Sequence, residues 1–225
     1  MRFRDRTDAG RRLAALLEEQ GFEKDAVALA LPRGGVAVAY PLAKALGLKL
    51  EPFVVRKVGA PRQEELAMGA VAGGGITVRN EDVVRLLGVS EAEFEKRAES
   101  QRKEVRRREM LYREGLPPLE LEGRCLILVD DGLATGASMK AAVEAARKAR
   151  PTGLSVAVPV AARSTAEEFR TMLRNPGEAF ASLLEPCRFG SVGQWYEDFD
   201  QVEDEKVREL LNDLRESANM PDRRS

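Results

Sequence analysis

The 225-residue chain contains no histidine. That absence excludes Ser-His-Asp and Cys-His catalysis and any zinc site built on imidazole. Chemistry must then run on carboxylates, cations, backbone dipoles or a bound metal. Cysteine is almost as scarce. Cys125 and Cys187 are too few for a disulfide scaffold or a tetrahedral thiolate site, and Cys125 opens an apolar run, as a small core residue does. An excess of either charge is also missing: 36 Lys and Arg face 37 Asp and Glu, for a net charge of -1. Bulk charge therefore gives no support to nucleic-acid binding. No apolar run approaches the roughly 20 residues that cross a bilayer, and "MRFRDRTDAG" lacks the apolar stretch of a secretory signal. The expectation is a cytoplasmic protein with no membrane or nucleic-acid partner.

What is present alternates between two patterns. Residues Asp5 to Gln20 have helical spacing, with Leu13, Leu16 and Leu17 on one face and Gly21 as a stop. "DAVALAL" is a short apolar strand that breaks at "PRGG", and "VAVAYPLAKALG" is helical, with Pro41 expected to kink or start it. "KLEPFVVRK" reads as one further strand. "VGAPRQEELAMGAVAGGG", about 58–75, reads as a mobile loop running into a hairpin, and "ITV" as a short strand. Ser90 to Glu114 is a long helix. Its "RRR" (Arg106 to Arg108) is interleaved with glutamates, which favours a solvated face laced with ion pairs. Strand, helix, strand, helix, strand and helix follow from "RCLILV" to the end. Near-continuous aliphatic strands alternating with helices predict a doubly wound, mainly parallel α/β sheet covered on both faces. Residues 1–217 are expected to form one domain, and the polar 218–225 to fray.

The chemistry concentrates in "RCLILVDDGLATGASMKAA", Arg124 to Ala142. Small residues in "LATGAS" let backbone N–H groups approach an anion, and the loop opens a helix whose first N–H groups lack partners. Thr135 and Ser138 add hydroxyl donors, so a phosphate monoester fits. A nucleotide P-loop is excluded because no lysine follows Gly136. Just before this loop, Asp130 and Asp131 end a buried strand side by side, where repulsion and desolvation disfavour both charges. Helix capping explains one aspartate. Two are better explained by a ligand that offers paired hydroxyls and a metal ion.

"LILVDDGLATGAS" resembles the phosphoribosyl pyrophosphate (PRPP) signature of the type I phosphoribosyltransferases. The resemblance implies that Asp130 and Asp131 hold the ribose hydroxyls. It gives the 5-phosphate to Ala134, Thr135, Gly136, Ala137 and Ser138. "LPRGG" is similar to that family's pyrophosphate loop, implying Arg33, Gly34 and Gly35 as pyrophosphate ligands, although alone it also reads as a strand-to-helix turn. Arg56 and Lys57 match the family's basic pair for the same group. "LPRGGVAVA", "VVRKVGAP", "ELAMGAV" and "FGSVGQWYEDF" together resemble a bacterial branch of these enzymes.

The resemblance implies transfer of ribose 5-phosphate between Mg-PRPP and a nitrogenous base, with Mg2+ as cofactor and small molecules as partners. A homodimer is compatible with it. Asp131→Asn is expected to cut turnover far more than stability. The acceptor is expected at a hood over about 186–200, where Phe189, Trp195 and Tyr196 offer a stacking face. The competing reading has these aromatics pin the C-terminal segment to the core. A PRPP- or nucleotide-sensing regulator with little turnover is the alternative function.

Overall fold

The computed structural model describes residues 2–61 and 63–219. Helix α1 (Arg6–Gln20) is capped by Asp5, whose carboxylate accepts from the Asp8 N–H, and it ends at left-handed Gly21. Strand β1 (Val27–Ala30), helix α2 (Gly34–Leu46) and strand β2 (Lys49–Pro52) follow. Then come strands β3 (Val55–Ala60), β4 (Gln63–Ala72) and β5 (Ile76–Arg79), and helices α3 (Glu81–Leu86) and α4 (Glu91–Arg113). The chain continues through β6 (Cys125–Val129), α5 (Ala137–Lys148), β7 (Gly153–Val160), α6 (Arg163–Met172) and β8 (Glu178–Leu184). Helix α7 (Asp204–Asn219) closes the described fold.

Five strands form one parallel sheet in the order β2-β1-β6-β7-β8. The alternation of side chains along its strands divides the core. Ala28, Ala30, Ile127 and Val129 point into a cluster built with α1, α2 and α7, whereas Leu29, Leu126 and Leu128 point into one built with α5 and α6. Both faces are covered, as the aliphatic strands predict. The sheet grows from β1 to β2 in one direction and through β6, β7 and β8 in the other, so the order reverses between β1 and β6. A crevice at the carboxyl ends of those two strands is where such a sheet takes ligands.

The structure departs from the sequence expectations in three places here. "KLEPFVVRK" is two strands in two sheets, not one. Pro52 ends the edge strand β2, the Phe53 N–H donates to the Ala30 carbonyl at 2.8 Å, and the chain leaves to pair β3 with β4. The span about 58–75, expected as a mobile loop running into a hairpin, is the antiparallel hairpin β3–β4 for most of its length. Its backbone is paired across Val55–Ala72 through Val58–Gly69, and β5 extends the sheet. Pro41 does not start α2, which begins at Gly34 and runs past it. Gly10 of α1 lies against this region: a Cβ there would stand 2.2 Å from the Val38 carbonyl oxygen.

The long helix α4 packs on the second sheet, and its end is fixed to the first by a buried ion pair between Arg113 and Glu51. Its "RRR" run is matched locally, as expected: Arg106 pairs with Glu99, and Arg107 and Arg108 both pair with Glu104. Helix α7 extends beyond residue 217 to Asn219. The remainder of the tail expected to fray, 220–225, lies outside the described residues. Among the described residues, no helix is long and apolar enough to cross a membrane.

Candidate functional site

Strand β6 delivers Asp130 and Asp131 to the crevice beside β1. The Asp131 N–H donates to Asp130 Oδ1 at 2.9 Å, which folds the first carboxylate back over the second residue. Burial and the neighbouring Asp131 charge push the Asp130 carboxyl well above the usual carboxylate range. Burial also raises Asp131, but Arg6 opposes it: Arg6 Nε donates to Asp131 Oδ2 at 2.9 Å. The two aspartates therefore differ. Asp131 is neutralised by a fixed cation, whereas Asp130 lines an open pocket of about 190 Å³.

That pocket is walled by the loop after the aspartates, Gly132 to Met139, and by Val192 of the C-terminal segment. The loop is held from behind by the next βα unit. The Leu133 N–H donates to the Val160 carbonyl at 2.8 Å, and the Ala162 N–H donates to the Leu133 carbonyl at 2.9 Å. Thr165 Oγ1 donates to the Ala134 carbonyl at 2.6 Å. Gly136 sits at φ 68°, where a Cβ would also meet Phe169 at 2.6 Å, so glycine is required twice over. No side chain caps α5. Thr135, Ala137 and Ser138 are exposed at its start, leaving the first turn able to serve an anion.

The "PRGG" turn closes the other side. The Leu31 N–H donates to the Val129 carbonyl at 2.9 Å, tying the turn to β6, and the Pro32–Arg33 peptide is cis. Gly34 and Gly35 lie directly on the aspartates. A Cβ on Gly34 would stand 2.0 Å from Asp131 Oδ2, and one on Gly35 would stand 2.7 Å from the Val129 carbonyl oxygen. Arg33 reaches Glu203 at 3.3 Å and remains one-third exposed. Arg33, Gly34, Gly35, Asp130, Asp131 and the small-residue loop are thus one constellation at the switch point.

Two groups of expected residues lie outside its smaller pocket. Arg56 and Lys57 stand in the first half of β3 rather than at the end of a sheet strand. They line an adjoining cavity that α4 bounds and that shares Ala137 and Ser138 with the smaller pocket. Tyr196 is buried, 3% exposed, with its hydroxyl donating to the Asp131 carbonyl at 2.6 Å and its ring against Phe3 and Phe199. It pins the tail and offers no stacking face. Phe189 and Trp195 stack on each other at 6.3 Å within the same small cluster.

The residues that sequence reasoning missed are Arg6, Thr165 and Val192. Arg6 also donates to the Asp200 carbonyl at 2.8 Å and lies 3.8 Å over the Phe199 ring. No local pattern marks any of the three, because each meets the site only through the fold.

Residues 4–175, which carry this whole constellation apart from the C-terminal segment, match the model of the phosphoribosyl transferase domain. The chain belongs to that family. Over 210 residues it is 40% identical to Mycobacterium tuberculosis proteins provisionally named phosphoribosyl transferases, in strains H37Rv and CDC 1551. The match covers 93% of this chain and 46% of theirs, so the chain spans about half the length of those relatives. The crystal structure of TT1426 from Thermus thermophilus is 42% identical with a TM-score of 0.86, covering 95% of this chain and 99% of that one. The AQ2163 protein of Aquifex aeolicus shares the fold alone, at 12% identity and a TM-score of 0.50, over 84% of this chain and 78% of that one. In this member a parallel sheet flanked by helices carries an additional antiparallel sheet.

Proposed function

We propose that this phosphoribosyl transferase domain moves ribose 5-phosphate from PRPP to a nitrogenous base and releases pyrophosphate. One observation carries the reading: Asp130 and the uncapped first turn of α5 line the same small pocket, with the "PRGG" turn packed against both aspartates. A pentose with a 5-phosphate has its vicinal hydroxyls and its anion at opposite ends, which suits that pairing. The hydroxyls would donate to Asp130, the phosphate would accept from the N–H groups and hydroxyls of Thr135 to Ser138, and Arg33 would face the leaving group.

The reaction forms a bond from a ring nitrogen to ribose carbon 1 and breaks the bond from that carbon to pyrophosphate. The sugar gains positive charge as the leaving group departs, and the nitrogen's proton passes to solvent. No covalent nucleophile is needed, consistent with a chain that has no histidine. Catalysis is positioning and electrostatics. Asp130 would accept from the ribose hydroxyls and Asp131, held by Arg6, would fix the end of the strand, while the 5-phosphate contacts hold carbon 1 in line.

The donor set fits a divalent ion only when a ligand shares it. No cluster of three acidic or thiol ligands exists among the described residues. The buried carboxyl of Asp130, raised by desolvation and by Asp131, offers one oxygen site to a hard cation whose other ligands would be substrate oxygens and water. When bound, Mg2+ would neutralise charge on pyrophosphate. The test is pyrophosphate release from PRPP and Mg2+ across a panel of purine, pyrimidine and pyridine bases. Release with one class supports transfer. PRPP binding with no release under any base points to a sensor instead.

A further inference from the structure

Arg33, the cation proposed to face the leaving group, already has an anion. Its Nη1 donates to Glu203 Oε2 at 3.3 Å, across 170 residues of sequence. Glu203 is 61% exposed, and a carboxylate that open to water ordinarily turns freely. This one is held. Gln201 Nε2 donates to Glu203 Oε1 at 3.1 Å, so each carboxylate oxygen has its own donor and the second is aimed at the "PRGG" turn.

The backbone that carries Glu203 is fixed as well. The Val207 N–H donates to the Glu203 carbonyl at 3.2 Å, which sets Glu203 just before the first turn of α7. That helix is tied down along its length. The Tyr112 hydroxyl donates to Asp204, the Tyr40 hydroxyl donates to Asp213, and Val207 and Leu211 are buried in the core. Just upstream, Arg6 donates to the Asp200 carbonyl at 2.8 Å. Glu197 to Glu205 contains six carboxylates and no cation, so an acidic stretch runs past both arginines of the site. Because α7 is anchored, any exchange of partners at Arg33 falls to the Glu203 side chain and not to the helix.

We propose that Glu203 is a positioning residue for the leaving group: a built-in counter-ion that holds Arg33 until pyrophosphate displaces it, and recaptures the arginine as pyrophosphate departs. The proposal rests on the reading of Arg33 given above. Pyrophosphate must take the guanidinium from Glu203 or share it across like charges, and either lowers its affinity. PRPP carries the same group and meets the same competition. The benefit falls on product release, a step that limits turnover in many enzymes. Its size is that of an exposed ion pair, several-fold and not a thousandfold.

The test is calorimetry on the full chain with Mg2+, titrating inorganic pyrophosphate and, separately, PRPP into the wild type and four variants. Glu203→Gln should bind pyrophosphate about fivefold tighter, a gain that damage to the fold does not produce. Gln201→Ala, which frees one oxygen of the carboxylate, should move affinity the same way by less. Glu205→Gln removes an equal charge from an exposed position on the first turn of α7 and should match the wild type. Arg33→Ala should weaken pyrophosphate about tenfold, and adding Glu203→Gln to it should bring no gain, since the two act through one pair. If the wild type binds pyrophosphate and Glu203→Gln binds it equally or more weakly, the proposal is overturned while the transfer reading stands. An equal gain in Glu205→Gln also overturns it, because general charge would then be the cause. Absence of heat with either ligand in every protein would remove the transfer reading, and the counter-ion role with it.

Discussion

Arg6 Nε stands 2.9 Å from Asp131 Oδ2 although 125 residues separate them, and the two side chains are 12% and 17% exposed. This pair joins the first turn of α1 to the end of β6. Through Asp200 and Phe199, the same guanidinium also joins the C-terminal segment to both. Arg6→Ala would leave a largely buried carboxylate without its cation. Breaking such a pair costs about 3–5 kcal/mol, and chemical denaturation should register a loss near the lower figure. Arg6→Lys should recover part of it, because the charge returns without the planar fork. A loss under about 1 kcal/mol for Arg6→Ala would mean the pair is worth no more than a surface ion pair.

This pair changes what is expected of Asp131→Asn. From sequence, the substitution should cut turnover far more than stability. In the fold it strands Arg6, so turnover and stability should fall together, with destabilisation of about 2–4 kcal/mol. An unchanged unfolding midpoint would contradict that.

Asp130→Asn should behave in the opposite way. Burial and Asp131 raise the folded carboxyl of Asp130 above its ordinary value of 3.8. Between the two values the native protein holds a proton that the unfolded chain has lost. Stability therefore falls as pH rises through that window, with a slope of up to about 1.4 kcal/mol per pH unit. The asparagine variant lacks this penalty. Melting temperatures at pH 5 and pH 8 should show the variant gaining on the wild type as pH rises, while it loses PRPP binding. A variant that is less stable than wild type at pH 8 would refute the assignment.

Gly34→Ala should be as damaging as a change at an aspartate. The added methyl would sit 2.0 Å from Asp131 Oδ2, so the turn or the carboxylate must move. Overpacking of this kind costs about 1–3 kcal/mol, and PRPP affinity should fall at least tenfold. Normal affinity would show that the turn can shift without consequence.

Tyr196→Phe removes the donor to the Asp131 carbonyl and keeps the ring. About 1–2 kcal/mol of stability should be lost, in line with one buried hydrogen bond. Preference across the base panel should not change, because the ring is buried against Phe3 and Phe199. A shift in preference would return Tyr196 to the acceptor site.

The sheet, its two faces and the crevice were legible because they depend on local signals: aliphatic runs, helical spacing, and glycines just after strands. The small-residue loop before α5 was legible for the same reason, since small residues and a helix start are adjacent in sequence. Arg6 was not, because an arginine behind the helix cap Asp5 looks like any solvated cation until the fold sets it on Asp131. The break at Phe53 was hidden by an apolar run that continues across two sheets. Tyr196 was left between two readings because an aromatic reads alike whether it stacks on a ligand or, as here, fastens a tail.

The most direct test of the account is calorimetric titration of the wild type and Asp130→Asn with PRPP at saturating Mg2+. One equivalent should bind the wild type, and affinity should fall at least a hundredfold in the variant while its fold is retained. Absence of heat with the wild type, or equal affinity in the two proteins, would contradict the placement of the sugar at Asp130.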